Sequence, residues 1–284
     1  MEKNKLTQKD GVMIYVLGFL LLLVAGLLIT LIPSNTNLYV YLAFLVPQGA
    51  YLAAIFSYTK HKKLEFKLNL AVNAKQNGIK YAYGVILGAG IFFCGLILNY
   101  FLKKTYVVLG FDLEITVPVL HSWIDYILSF LLIAVLPAIG EELLFRKTLI
   151  DSFSKIGSIK AVIISAAIFS LSHLNPTQTI YQFILGLIYG FVYLKTKDIV
   201  ITIIAHLVNN CLAFFLSYLT NPLIWQQPKI LLFCFLIALP ITIFCLYLIL
   251  KGGKVNNKAE EKINSYTISI IVAMSVLWLI YAFL

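Results

Sequence analysis

Charge is what this 284-residue sequence has least of: only 12% of its positions are Asp, Glu, Lys or Arg, against 61% hydrophobic ones, and its mean hydropathy is +0.93. A soluble globular domain needs a charged surface, so this scarcity excludes one and predicts a polytopic membrane protein. Arginine is nearly absent, since 21 of the 22 basic residues are lysine. The four cysteines, Cys94, Cys211, Cys234 and Cys245, show no CxxC spacing and sit in apolar runs, which reads as buried small hydrophobes rather than a disulfide framework or thiolate metal site. No small-x-small cleavage site follows the first apolar run, 12–32, so Lys3, Lys5 and Lys9 introduce a span that stays uncleaved. Internal repeats and low-complexity tracts are missing as well. The net charge of +10 comes without an aromatic-basic RNA signature or a helix-turn-helix, which argues against nucleic acid as a partner and for membrane lipids.

What is present is a succession of apolar runs. At about 20 residues per span, helices are expected at 12–32, 38–58, 81–102, 123–146, 160–174, 178–195, 198–219, 229–250 and 266–284. The expectation is all-α: one integral membrane domain over 1–284, a transmembrane bundle of about 8–9 spans. The 160–174 run is short enough to be re-entrant. Nineteen basic residues fall in alternate connections on the side of the N-terminus and three on the other, which places the N-terminus in the cytoplasm of a multi-pass cell-membrane protein. The connection 58–80 carries Leu64, Phe66, Leu68 and Leu70 among lysines and fits either the headgroup plane or water. The 103–122 loop holds Asp112, Glu114 and His121; neither His121 nor His61 is assigned chemistry. Gly84 with Gly88, and Gly186 with Gly190, are small-xxx-small pairs that let helices approach. The tract 251–265 is linker-like, so 251–284 reads as a basic linker and a helix peripheral to the core.

Against this background AIGEELLFRK, residues 138–147, is costly. Glu141 and Glu142 follow Pro137 and Gly140, which loosen the helix. Glu142 and Arg146 are spaced i, i+4 and meet on one face, where the guanidinium fork suits a carboxylate. Glu141 points about 100° away and is free to face something else. His173 closes the run FSLSH, and His206 and Asn210 share a face of the 198–219 span. Helix-end charge alone would explain EELLFRK, but ionisable groups on three apolar segments point to one polar pocket. Such a pocket suits general-base chemistry on water with imidazole and amide donors for an oxyanion. Ser170, Ser172 and Cys211 lack the setting of a nucleophile. Zinc is the lesser alternative, because two histidines and two acids are at hand but no HExxH occurs.

In their order and spacing, Glu141-Glu142-x-x-x-Arg146, Phe169-x-x-x-His173 and His206-x-x-x-Asn210 resemble the three motifs of the CAAX prenyl protease and bacteriocin-processing (CPBP, or Abi) family, the intramembrane glutamic endopeptidases. The resemblance covers roughly 120–220, the family's catalytic core. It implies that Glu141 activates water, that His173 positions or polarises it, that His206 and Asn210 form an oxyanion site, and that Glu142 and Arg146 brace the pocket. Phe169 enters as a supporting residue. Asn209, about 100° from Asn210, is left out. The implied function is an intramembrane endopeptidase, with no cofactor, acting on a peptide or protein substrate from the cytoplasm, in bacteriocin or pheromone processing or self-immunity. The rivals are a non-enzymatic immunity or scaffold protein that binds a membrane-protein partner through the same pocket, a zinc protease, and a proton-relay transporter.

Overall fold

The computed structural model describes residues 5–66, 74–110, 118–220, 224–251, 255 and 257–283. Leu68, Leu70, Asp112 and Glu114 lie outside them. Among the described residues the architecture is all-helical, with nine helices: α1 (Gln8–Ile29), α2 (Asn37–His61), α3 (Ala74–Val108), α4 (Trp123–Ile150), α5 (Ser158–Ser172), α6 (Pro176–Thr196), α7 (Ile199–Leu219), α8 (Pro228–Leu250) and α9 (Ser265–Phe283). Eight are long and apolar enough to cross a membrane. The ninth, α5, is the 15-residue helix whose length singled it out in the sequence. The chain is a multi-pass membrane protein.

The helices begin where sequence chemistry starts them. Thr7 and Ser122 close capping boxes with Asp10 and Asp125, while Asn175 and Asp198 accept the first free amides of α6 and α7. Between α5 and α6 the chain turns through Leu174 at φ 47°, a left-handed conformation costing about 1–2 kcal/mol for a non-glycine residue. That turn sets the direction of His173 next to it.

α4 is the central helix, with Leu144, Phe145 and Leu149 at or near full burial and contacts to α1, α2, α5, α6 and α7. It is not a uniform helix. Residues 131–135 and 142–150 wind as wider π turns around an α-helical Leu136–Glu141. The first widening answers Pro137, which has no N–H to donate and whose ring crowds the carbonyl four residues back. Within the second, Thr148 Oγ1 donates to the Leu143 carbonyl, five residues back, at 2.8 Å, and Ser165 Oγ of α5 donates to the Phe145 carbonyl.

Lipid supplies no hydrophobic force to press helices together, so close backbone approach must do it. A Cβ on Gly88 of α3 would lie 2.2 Å from the carbonyl oxygen of Ala205 in α7, and one on Gly84 would lie 3.1 Å from that of Ile201. Gly186 and Gly190 likewise admit Ala166 and Val162 of α5 against α6. These are the two glycine pairs read from the sequence. The first seats His206, beside Ala205, at a fixed depth.

Polar contacts gather the helix ends into two faces. On one, Tyr58 donates to Asp10 at 3.0 Å, Lys155 pairs with Glu261 at 3.2 Å, and Gln8 donates to Glu261 and to the Lys262 carbonyl, each at 3.0 Å. On the other, Asn37 exchanges hydrogen bonds with the backbone of Val119, and Tyr41 donates to Asp125 at 2.7 Å. The residues after α8 therefore clasp the start of α1 and the α4–α5 connection. α9 packs on α1 and α5, and its Trp278 donates to Thr179 Oγ1 at 2.7 Å.

Candidate active site

Glu142 and Arg146 are completely buried, and Arg146 Nε donates to Glu142 Oε2 at 3.2 Å. The i, i+4 pairing read from the sequence is present. Two charges this deep would be costly apart, which makes each dependent on the other. The guanidinium also lies over the ring of Phe169, with its carbon 4.8 Å from the ring centroid, a cation–π contact whose value rises once water is excluded. The sequence offered Phe169 only a supporting place; the structure gives that place content. The same ring meets His173 edge-on at 4.9 Å between centroids, and its residue's carbonyl accepts from His173 Nδ1 at 2.9 Å. Because a carbonyl can only accept, Nδ1 carries the proton and a neutral His173 keeps its lone pair on Nε2.

His206, 4% exposed, stands between the two acids. Its Nδ1 is 3.0 Å from Glu142 Oε1 and its Nε2 is 3.8 Å from Glu141 Oε2. The sequence gave the two glutamates separate surroundings on account of the angle between them. In the structure they reach opposite nitrogens of one imidazole, because the helix widens after Glu141 and glutamate side chains are long enough to converge. Their exposure does differ. Glu141 is 14% exposed and faces a cavity, whereas Glu142 is sealed. Glu141 Oε1 also accepts from Gln48 Nε2 of α2 at 3.1 Å.

The cavity, about 370 Å³, is bordered by Glu141, His173, His206 and Asn210, and also by Gln48, Gln178 and Gln182. Leu22, Phe44 and Ile133 form an apolar side. Both prolines of the site, Pro47 and Pro137, border it too. Asn210 Nδ2 lies 3.5 Å from the Ala134 carbonyl, a long contact that leaves the amide available. Asn209 accepts from Tyr181 at 2.6 Å, and its own amide donates to Asn210 Oδ1 at 3.4 Å. Tyr15 of α1 hydrogen-bonds Ser172 at 2.6 Å, steadying the end of α5 next to His173. Thus the structure brings Glu141, His173, His206 and Asn210 to one cavity and sets Glu142, Arg146 and Phe169 behind them. The sequence reading missed Gln48 and Tyr15; each is a polar group inside an apolar run, a signal that was legible. Among the described residues, no three His, Cys, Asp or Glu side chains converge as a bound metal ion would need.

This arrangement defines a class: a helical membrane protein whose polar site is enclosed by several spans, with one acid facing a cavity and its neighbour locked in an ion pair. Residues 123–212 match the family model described as Rce1-like, type II CAAX prenyl endopeptidase Rce1-like. That segment contains all three motifs and is similar to this family of proteases over about a third of the chain. Comparison with curated proteins and with solved structures gives no match in either case.

Proposed function

We propose that the protein is an intramembrane endopeptidase in which Glu141 acts as the general base on a water held in the cavity. The observation that carries this is the division of labour between adjacent acids: Glu142 is tied to Arg146 and His206, while Glu141 faces a space large enough for water and a peptide. At 3.8 Å apart, Glu141 Oε2 and His206 Nε2 are placed so that one water on the cavity side of the line between them can reach both.

In the proposed step, Glu141 takes a proton from that water as its oxygen bonds to the scissile carbonyl carbon, and the carbonyl π pair moves to oxygen. Asn210 Nδ2 and His206 Nε2–H stabilise the oxyanion. With Nδ1 engaged by Glu142, His206 can donate from Nε2 only as an imidazolium. That form makes the buried group neutral overall, with Glu141 and Glu142 balanced by Arg146 and His206, as a low-dielectric site favours. His173 Nε2 accepts from the attacking water and orients it. Collapse of the intermediate breaks the C–N bond, and Glu141 returns its proton to the leaving amine. No metal or cofactor is required by this scheme.

The substrate is a peptide or protein segment that enters from the cytoplasmic side, the side of the lysine-rich face, with the N-terminus also there. The matched family's description suggests a prenylated CAAX end; bacteriocin or pheromone processing, or self-immunity, is the alternative setting. Membrane lipids are its surroundings, and nucleic acid is not a partner.

Two measurements test the reading. Purified protein in lipid vesicles, given a quenched peptide with a farnesylated CAAX end, is compared with Glu141→Gln, while membrane-protein termini and small peptides are profiled in cells carrying each form. Removing the base should lower turnover by roughly 10²–10⁴-fold with the folded fraction unchanged, and a cleavage product should be missing from the variant cells. A phenotype unaltered by Glu141→Gln would shift the protein to a binding module. The reaction should also persist in excess chelator; loss that zinc restores would make it a metalloprotease.

A further inference from the structure

We infer that Gln48, on α2 and outside the 123–212 segment, is a positioning residue for Glu141. This rests on the endopeptidase reading above and adds a helix to its machinery.

An uncharged amide deep in an apolar helix needs a partner, because lipid offers none. Gln48 is 4% exposed, and its Nε2 donates to Glu141 Oε1 at 3.1 Å. The polarity of that contact is fixed, since an ionised carboxylate only accepts. The other end of the amide is fixed by packing. Gln48 Oε1 is buried without a hydrogen-bond partner, and it occupies the space that a side chain at position 140 would fill: a Cβ on Gly140 would lie 2.4 Å from it. Gly140 is therefore the receptacle for the carbonyl end of Gln48, and Glu141, the next residue, receives the amino end.

The consequence for Glu141 is directional. One carboxylate oxygen is engaged by Gln48 and the other faces His206 Nε2, so the group is suspended between α2 and α7 with both oxygens committed to known directions. A base on a flexible side chain must otherwise be ordered at each turnover, and small misplacements are expensive in rate. Pro47 assists by lacking an N–H. The carbonyl of Ala43, which also borders the cavity, loses its usual helical donor there, which loosens α2 where Gln48 must reach across. The pairs Pro47–Gln48 and Gly140–Glu141 thus form one interhelical device.

The test uses the full chain in vesicles with the same farnesylated peptide, and adds kcat and KM. Gln48→Met keeps the volume and removes the donor, whereas Gln48→His keeps an N–H at similar reach. The expected result is a fall in kcat of at least tenfold for Gln48→Met with KM within twofold, and partial recovery for Gln48→His. If Gln48→Met does not fold, Gly140→Ala disturbs the same contact from the other side and should give the same kcat loss. Wild-type kcat in both Gln48→Met and Gly140→Ala, or a loss confined to KM, overturns the inference while leaving the endopeptidase intact, provided Glu141→Gln is inactive. Full activity in Glu141→Gln removes the endopeptidase reading and this inference with it.

Discussion

α4, α6 and α7 and the pair α8 and α9 are all apolar enough to cross a membrane, α6 the least so and α8 the most, but the two groups are built differently. Half of the most apolar stretch of α4 is buried within the protein, and 44% of α6 and of α7, against 22% of α8 and 17% of α9. Leu232, Phe233, Leu236, Ile243 and Phe244 of α8 turn outward, as do Ile268, Val272 and Leu279 of α9. Every acid, imidazole and amide of the candidate site belongs to the first group or to α2 and α5 packed on it. The difference teaches that hydropathy marks a span, whereas burial among other helices is what permits a charge inside it. Outer helices serve as a wall, and inner helices can hold chemistry because neighbours shield them from lipid.

Breaking the inner group should cost far more than disturbing the wall. Arg146→Met removes the partner of a sealed carboxylate and should destabilise the protein by about 3–5 kcal/mol, seen as loss of folded yield and of thermal resistance in detergent. An unchanged melting profile would mean that Glu142 finds another partner. A smaller effect is expected at the α3–α7 contact. Gly88→Ala places a methyl against the Ala205 carbonyl and should cost about 1–3 kcal/mol and reduce turnover through His206, whereas Phe244→Leu on the outer face of α8 should leave both close to wild type. Equal effects from the two would erase the distinction between core and wall.

The smallest effect concerns the clasp after α8. The hydrogen bond from Gln8, with help from Lys155, holds the carboxyl of Glu261 below the usual glutamate range. A lowered folded-state value means that its contribution is present above about 4.5, the ordinary value, and fades as pH falls through the lowered one. Protease nicking within 255–264 should therefore quicken on acidification before the core loosens, and Glu261→Gln should remove that pH dependence. Nicking that stays constant from neutral to acid pH would deny the clasp this role.

Much of this was readable in the sequence because membranes simplify the code. Apolar runs separated by lysines gave the helices, and the short fifth run was recognisable by length alone. α3 and α4 proved longer than their apolar stretches, since polar residues at their ends continue the helix beyond the hydrophobic run. The motif residues were legible because polar groups are conspicuous in such company. Of the partnerships only one was, the i, i+4 pair of Glu142 and Arg146. That Glu141 and Glu142 share one imidazole depends on the π turns of α4, and a regular 3.6-residue helix, the only geometry spacing arguments use, does not contain them. Phe169 was marked as a supporting residue by its motif, but nothing in the spacing placed its ring beneath a guanidinium. Gln48 stood in plain view after Pro47, but its target lies 93 positions away, beyond the reach of local pattern.

The contacts of Gln8 bear on how the molecule comes into being. Its side chain meets Glu261, Lys262 and Asn264, groups made some 250 residues later in the chain. During synthesis the first helix enters the bilayer long before those groups exist, so its lower end must stay solvated and loosely held. This fastening of the basic face therefore waits for the connection into α9, and a chain stalled before that point would carry the cavity residues with the start of α1 unclasped.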